Sequence, residues 1–287
     1  MQTVNRLADL RAAVDRLRKR GPVALVPTMG ALHRGHLTLV REAREKAKSV
    51  VVSIFVNPTQ FGPNEDLDAY PRQLAEDSRL LAAEKVAVLW APPVEEVYPP
   101  GFASKVSVAR LSEGLCGASR PGHFDGVATV VAKLFNQVRP DVALFGEKDW
   151  QQLAVIRRMA RDLDLTQPHA DMILGVPTVR EPDGLAMSSR NRYLSEANRE
   201  RAAVLPVAMR KAIAAIEAGA EVPLVLDKTR AALIAGGFTS VDYVELADAE
   251  TLEPLERLGM APARLFVAAR IGGTRLIDNM PVAAPPA

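Results

Sequence analysis

The sequence predicts an α/β protein with a second, smaller α+β domain. Short apolar runs alternate with helical patterns through the first half, as in a parallel sheet with helical crossovers. The spacing changes after Asn191, and the chain closes on strand-like runs around Gly272-Gly273. Together these place a Rossmann-like parallel-sheet domain in residues 1–178 and a smaller α+β domain in residues 179–287. A chain of 287 residues has room for both cores.

Each element has its own signal. Pro22–Pro27 reads as a buried strand, since so short an apolar run between Gly21 and Pro27 seldom makes a helix. A helix follows from Gly35 to Lys48, and the β-branched run Val50–Val56 forms a second strand. Tyr70-Pro71 opens a helix with proline in its first turn, and Val86–Trp90 is a third strand. A helix over Gly126–Val138 leads into the strand Asp141–Phe145, and another helix covers Asp149–Asp162. Further on, Ser195 caps a helix reaching towards Ala218 with Pro206 as a kink, and Pro223 starts a helix to Ala235. Strands Ser240–Leu246, Arg264–Ile271 and Thr274–Met280 complete the pattern, and Ala283–Ala287 are expected to fray.

Composition excludes several classes. A formal net charge of +2 without any lysine/arginine run argues against a nucleic-acid partner. No stretch approaches the ~18 apolar residues of a membrane span. Met1–Arg20 mixes charges and lacks the apolar block of a signal peptide. The single cysteine, Cys116, excludes an intrachain disulfide and suits a reducing compartment. These features predict a cytoplasmic protein in which Cys116 is a structural thiol.

The chemistry starts at Pro27-Thr28-Met29-Gly30-Ala31-Leu32-His33-Arg34-Gly35-His36, where a strand turns into a helix. Gly30 and Gly35 let the backbone turn tightly and approach a ligand closely. The helix start aims unpaired N–H groups and a positive dipole end at the turn, which suits a phosphate chain. His33 and His36, three apart, can project to one side, where an imidazole can donate to a phosphate oxygen as pyrophosphate departs. Two other readings stand beside this one: histidines that only cap the helix, or a metal pair. The second lacks further ligands, since neither His123 nor His169 has the spacing. No Gly-Lys-Ser/Thr follows, so this is not a Walker loop.

Two later segments strengthen the phosphate reading. Met187-Ser188-Ser189-Arg190 follows the turn EPDGLA and offers two hydroxyls and a guanidinium. Phe145-Gly146-Glu147-Lys148-Asp149-Trp150-Gln151-Gln152 sits at the C-terminal end of a strand, where ligands of open α/β sheets collect. Lys148 can neutralise phosphate charge, while Asp149 can meet a ribose or orient Lys148. A His-x-Gly-His turn with a Ser-Ser-Arg loop resembles the HIGH and KMSKS elements of the nucleotidyltransferase superfamily, in which both grip one ATP.

The runs PTMGALHRGH, SIFVNPTQFGPNEDLDAYPR, GHFDGVATVV, FGEKDWQQL and VPTVREPDGLAMSSRNRYLS, in this order, resemble the bacterial pantoate–β-alanine ligases over residues 1–280. The resemblance implies that the pantoate carboxylate attacks the α-phosphate of ATP, and that the amine of β-alanine then displaces AMP from pantoyl adenylate. It implies ATP binding by Met29, Gly30, Ala31, Leu32, His33, Arg34, Gly35 and His36, with His36 as proton donor. It likewise implies nucleotide contacts from Gly146, Glu147, Lys148 and Asp149, an adenine contact from the Val179 backbone, and phosphate contacts from Met187, Ser188, Ser189 and Arg190. Gln60 and Gln152 would hold pantoate, with β-alanine near Gln60. Mg²⁺ would accompany ATP, and the chain would form a homodimer.

The residue types suit this chemistry. Neutral amides at Gln60 and Gln152 can bind hydroxyls without repelling a carboxylate. The substrate carboxylate is itself the nucleophile, so catalysis would rest on positioning and charge stabilisation. Glu147, Asp149, Glu76 and Asp77 are all conceivable metal ligands. Phe61–Tyr70 reads as a polar lid that shields the acyl adenylate from water. Two other classes share parts of the pattern. A nucleotidylyltransferase would want more basic residues for a substrate phosphate, and a silent nucleotide-binding protein would not need the histidines, Lys148 and Ser-Ser-Arg together.

Overall fold

The structure, a computed structural model, describes all residues except Asn64, Asp66 and 285–287. In chain order its elements are β1 (Gln2–Val4), α1 (Leu7–Arg18), β2 (Val23–Thr28), α2 (Arg34–Lys46), β3 (Ser49–Ile54), α3 (Leu74–Ala83) and β4 (Val88–Trp90). Two single-turn helices follow, α4 (Val94–Val97) and α5 (Cys116–Ser119), then α6 (His123–Val138), β5 (Val142–Gly146), α7 (Trp150–Asp162) and β6 (Ile173–Val176). The C-terminal part holds α8 (Glu196–Ala202), α9 (Val204–Glu217), α10 (Val222–Ala235), β7 (Ser240–Asp248), β8 (Ala263–Ile271) and β9 (Thr274–Val282).

The chain divides into two compact units. The first holds Met1–Glu113, Arg120–Glu147 and Gln152–Pro177. Its six-stranded sheet runs β1-β4-β3-β2-β5-β6 with every pair parallel. The central strands are buried on both faces, so β2 and β3 read as nearly continuous valine, leucine and alanine. Val26, Val52, Leu89 and Leu144 pack with Leu39, Val40 and Leu81 from α2 and α3. Strand order reverses between β2 and β5, so the crevice at their C-terminal ends is the switch point where such sheets bind ligands.

The turn that leaves β2 at this point is held from a distance. Asp77, on α3 and 1% exposed, accepts the N–H groups of Ala31 and Leu32, each at 2.9 Å. Ala31 sits at φ 51 and Gly30 at φ 83, both left-handed. A Cβ on Gly30 would lie 3.0 Å from Asp77 Oδ2 and 3.1 Å from Ile54 Cγ2, so glycine is required for shape as well as for φ.

The second unit holds Gly114–Ser119, Lys148–Gln151 and Thr178–Ala287. Its sheet is antiparallel, β7-β8-β9, with a bulge near Val241–Tyr243 and a tight turn at Gly272-Gly273. Leu205, Met209, Leu233, Phe238, Leu265, Val267 and Leu276 form the core between that sheet and α9–α10. Cys116 is buried here, with Sγ 3.0 Å from the Tyr243 hydroxyl. Burial and the neighbouring thiol push that phenol well above its usual pKa.

Several boundaries differ from the sequence reading. α3 starts at Leu74 rather than at Pro71, because Gln73 is the cap residue and its carbonyl accepts the first intrahelical bond, from Asp77 N–H. The helix expected to kink at Pro206 is instead two helices that break at Ala203. Pro206 lies in the first turn of α9, where a missing N–H costs nothing. Ser195 caps α8 as expected, its Oγ accepting from Asn198 N–H. β1 and β6 are too short for alternation to show, whereas α1, with Leu7, Leu10 and Val14 at helical spacing, was readable and was missed. Of the residues expected to fray, 285–287 lie outside the described chain, and Ala283 N–H donates to Glu217.

Replacing Asp77 by alanine strands two buried amide donors. Asp77→Ala should lower the unfolding free energy by about 2–4 kcal/mol, read by urea denaturation. A loss under about 0.5 kcal/mol would mean that other groups hold the turn.

Candidate active site

The histidines sit where the pinned turn becomes α2. His33 is the cap residue, and its Nδ1 accepts the Gly35 N–H at 3.1 Å. His36 reaches back, and its Nδ1 accepts the His33 N–H at 3.3 Å. The pair is a capping box built from imidazoles, with ring centroids 4.1 Å apart. A nitrogen that accepts cannot carry the proton, so each neutral ring has its proton on Nε2. Helix capping and phosphate binding are therefore compatible readings, because capping uses only the Nδ1 atom of each ring. Gly35, expected in the turn, lies inside the first turn of α2.

Gln60 is brought to the same turn. It ends the short helix Pro58–Gln60 and is 9% exposed, and its Nε2 donates to Met29 Sδ at 3.2 Å. Its Oε1 accepts from Asn57 Nδ2 at 3.1 Å, and that amide also donates to Gly126 O at 3.1 Å. Tyr98 donates its hydroxyl to Asn57 Oδ1 at 2.8 Å. His123 Nδ1 lies 2.8 Å from Gln60 O, so Nδ1–H donates there and Nε2 accepts from Arg120 at 2.9 Å. Arg120 also forms a two-armed ion pair with Glu65. Burial pushes the Glu65 carboxyl up, but the Arg120 guanidinium outweighs it and holds the group below the usual range.

The other expected residues fall in two places. Gly146 ends β5 and Glu147 follows it, beside Gly175 of β6, whose added Cβ would lie 3.0 Å from Glu147 Cγ. Gln152 is half-buried in the first turn of α7. Lys148 and Asp149 belong to the second unit, with Nζ 3.7 Å from Oδ1. In that unit Arg180 and Ala186 pair as an antiparallel bridge, and Val179 O accepts the Met187 N–H at 2.9 Å. Ser188 Oγ caps the short helix Ser189–Tyr193 by accepting the Arg190 N–H at 3.3 Å.

Two of the conceivable metal ligands of the sequence reading, Asp77 and Glu76, have protein partners. Both Asp77 oxygens hold the turn, and Glu76 pairs with Arg79 on the surface. Among the described residues no three His, Cys, Asp or Glu side chains cluster as a metal site. The lid expected over Phe61–Tyr70 includes Asn64 and Asp66, which lie outside the described residues. Sequence reading missed Asp77, Asn57, Tyr98 and Arg120 as parts of the frame. Asn57 stood inside a quoted motif, whereas Asp77 and Tyr98 had no local signal.

Gly126 is the tightest contact of this frame. A Cβ there would lie 2.4 Å from Thr59 O and 2.7 Å from Gln60 N. Gly126→Ala should cost about 1–3 kcal/mol in thermal or urea unfolding and raise KM for the ligand at Gln60. Unchanged stability and KM would mean that the backbone yields without moving Gln60.

Known proteins resemble this chain along nearly its whole length. The family model described as Pantoate-beta-alanine ligase matches residues 2–281. A pantothenate synthetase of Novosphingobium aromaticivorans is 69% identical over 283 residues, covering 98% of this chain and 99% of the relative. One of Sphingopyxis alaskensis is 61% identical, covering 98% and 100%. The crystal structure of pantothenate synthetase from Thermus thermophilus superposes with a TM-score of 0.91 at 49% identity, covering 99% of this chain and 100% of that one. A pantoate-beta-alanine ligase from Francisella tularensis, solved with beta-gamma ATP and beta-alanine, gives 0.83 at 33% identity with both chains fully covered. With a pinned histidine turn at the switch point of a parallel sheet and this degree of likeness along its whole length, the chain belongs to the pantoate–β-alanine ligase family.

Proposed function

We propose that this chain joins pantoate to β-alanine at the expense of ATP, by way of pantoyl adenylate. The carrying observation is the imidazole capping box, which commits both Nδ1 atoms to backbone amides and so puts the proton of each neutral ring on Nε2. The Francisella tularensis relative, solved with beta-gamma ATP and beta-alanine, supports the same ligands for this chain.

In the first step a pantoate carboxylate oxygen bonds to the α-phosphorus and the bond to the β-phosphate oxygen breaks, releasing pyrophosphate. Met29–His36 cradle the phosphates, and His36 Nε2–H donates to an oxygen that gains charge as pyrophosphate leaves. Lys148, Ser188, Ser189 and Arg190 supply further donors, Gly146, Glu147 and Asp149 line the nucleotide, and the Val179 backbone meets the adenine. Gln60 and Gln152 hold pantoate; a ligand hydroxyl is a better partner for Gln60 Nε2 than the Met29 thioether. In the second step the β-alanine amine attacks the acyl carbon, loses a proton, and AMP departs with the acyl oxygen it carried. No protein nucleophile is needed, so the residues act by orientation and charge.

Mg²⁺ belongs to the same proposal as the counter-ion of ATP, because it favours phosphate oxygens and water over a protein cage. The proposal also takes the enzyme as a cytoplasmic homodimer. No helix of the described residues is long and apolar enough to cross a membrane.

Exchange of pyrophosphate into ATP should require pantoate and proceed without β-alanine. Folded protein that shows no such exchange would overturn the adenylate route. His36→Ala should slow the exchange by about 10²-fold, the scale of losing one transition-state donor. A near-normal rate would remove His36 from the mechanism.

A further inference from the structure

Strand β9 breaks its own alternation at Asp278 and Asn279, two consecutive polar residues that are each 3% exposed. Both Asp278 oxygens are taken by Arg180, Nη1 at 2.6 Å and Nη2 at 3.0 Å. Arg180 Nη1 also donates to Gly184 O at 3.0 Å, and the Arg180 backbone pairs with Ala186. One guanidinium thus ties together both arms of the hairpin that runs from Val179 to Met187 and leads into Ser188–Arg190. Asn279 works on the other segment. Its Nδ2 donates to Lys148 O at 2.9 Å, and its Oδ1 accepts from Arg264 Nε at 2.8 Å. Arg264 in turn lies 3.8 Å over the Trp150 ring, whose Nε1 donates to Ala249 O. Asn279 N–H donates to Asp278 Oδ1 at 2.8 Å, which joins the two arrangements.

An ion pair whose carboxylate is buried and whose guanidinium is partly exposed adds little net stability compared with apolar packing, so this one calls for another explanation. Its bonds run to the two segments of the second unit that carry phosphate-binding groups. We propose that Asp278 and Asn279 are positioning residues for adenylation, setting the spacing between Lys148 and the Ser188–Arg190 loop. Asp278 acts through Arg180, and Asn279 acts through the Lys148 carbonyl. The inference rests on the assignment of Lys148 and Ser188–Arg190 to the phosphates of ATP.

Asp278→Asn and Asn279→Ser test it in the full-length enzyme, with thermal melts fixing the folded fraction. Pantoate-dependent pyrophosphate exchange and β-alanine aminolysis of supplied pantoyl adenylate are measured separately. In each variant kcat/KM for ATP in the exchange should fall about 10-fold or more, the scale of a small misplacement of reacting groups. KM for pantoate should hold within about twofold, and aminolysis should fall much less than exchange. Unchanged exchange per folded molecule would overturn the proposal, and so would an equal fall in both half-reactions, which marks a general structural role. If Asp278→Asn does not fold, Asn279→Ser decides, since it keeps the Arg180–Asp278 ion pair and Arg264 keeps its stacking on Trp150. Lys148→Ala and Arg190→Ala separate the two readings. Wild-type exchange in both would overturn the ATP assignment and the inference with it; lost exchange there, with normal exchange in the β9 variants, overturns the inference alone.

Discussion

The histidine turn depends on one carboxylate. Asp77 on α3 reaches the N–H groups of Ala31 and Leu32, more than forty positions earlier in the chain. A left-handed alanine costs about 1 kcal/mol or more on its own, and charge-assisted bonds to two amides are worth more than that. With Ala31 held, Leu32 drops into the core and His33 falls at the cap position of α2. The next step is local: His33 and His36 satisfy each other's backbone, and that fixes where their protons lie. The tautomer of the histidine pair thus emerges from a chain of backbone constraints that starts in another element.

The same logic holds the neighbouring glutamine. Gln60 is not anchored by its own turn alone but by the close approach of α6, which only a glycine at 126 allows. Asn57 links the two, accepting from Tyr98 and donating to both Gln60 and Gly126. Reacting groups that do no covalent chemistry must be placed well, because orientation is most of what they contribute. Among the buried polar residues of the first unit, Asn57 and Asp77 hold the segments that carry Gln60 and the histidines. In the second unit Asp278 and Asn279 are the equivalent buried polar residues.

Much of the fold was legible because hydrophobic period and turn chemistry are local. β2 and β5 announced themselves as short apolar runs, β3 as a β-branched one, and β8–β9 as a pair around Gly272-Gly273. Where a boundary moved, a local rule met a tertiary one: Pro71 suits a helix start, but the helix begins at Leu74, after the Gln73 cap. Three-residue β1 and four-residue β6 are strands only because neighbours pair with them.

A hydroxy-acid ligand for Gln60 and Gln152 was implied only by the family resemblance; by itself the sequence determined the parallel-sheet class, the run of motifs, and the residue types able to bind a phosphate chain. Those follow from composition and spacing, which do not need a partner in space. Only the tertiary structure decided which nitrogen of each neutral histidine carries the proton, that both Asp77 oxygens hold backbone amides, and that Met29 and Gln60 touch. It also placed Lys148–Gln151 and Gly114–Ser119 with the C-terminal sheet, although both lie far from it in sequence. The physical reason is the same in each case: a polar group removed from water takes the partner that folding brings within about 3 Å, and that partner is often distant in the chain.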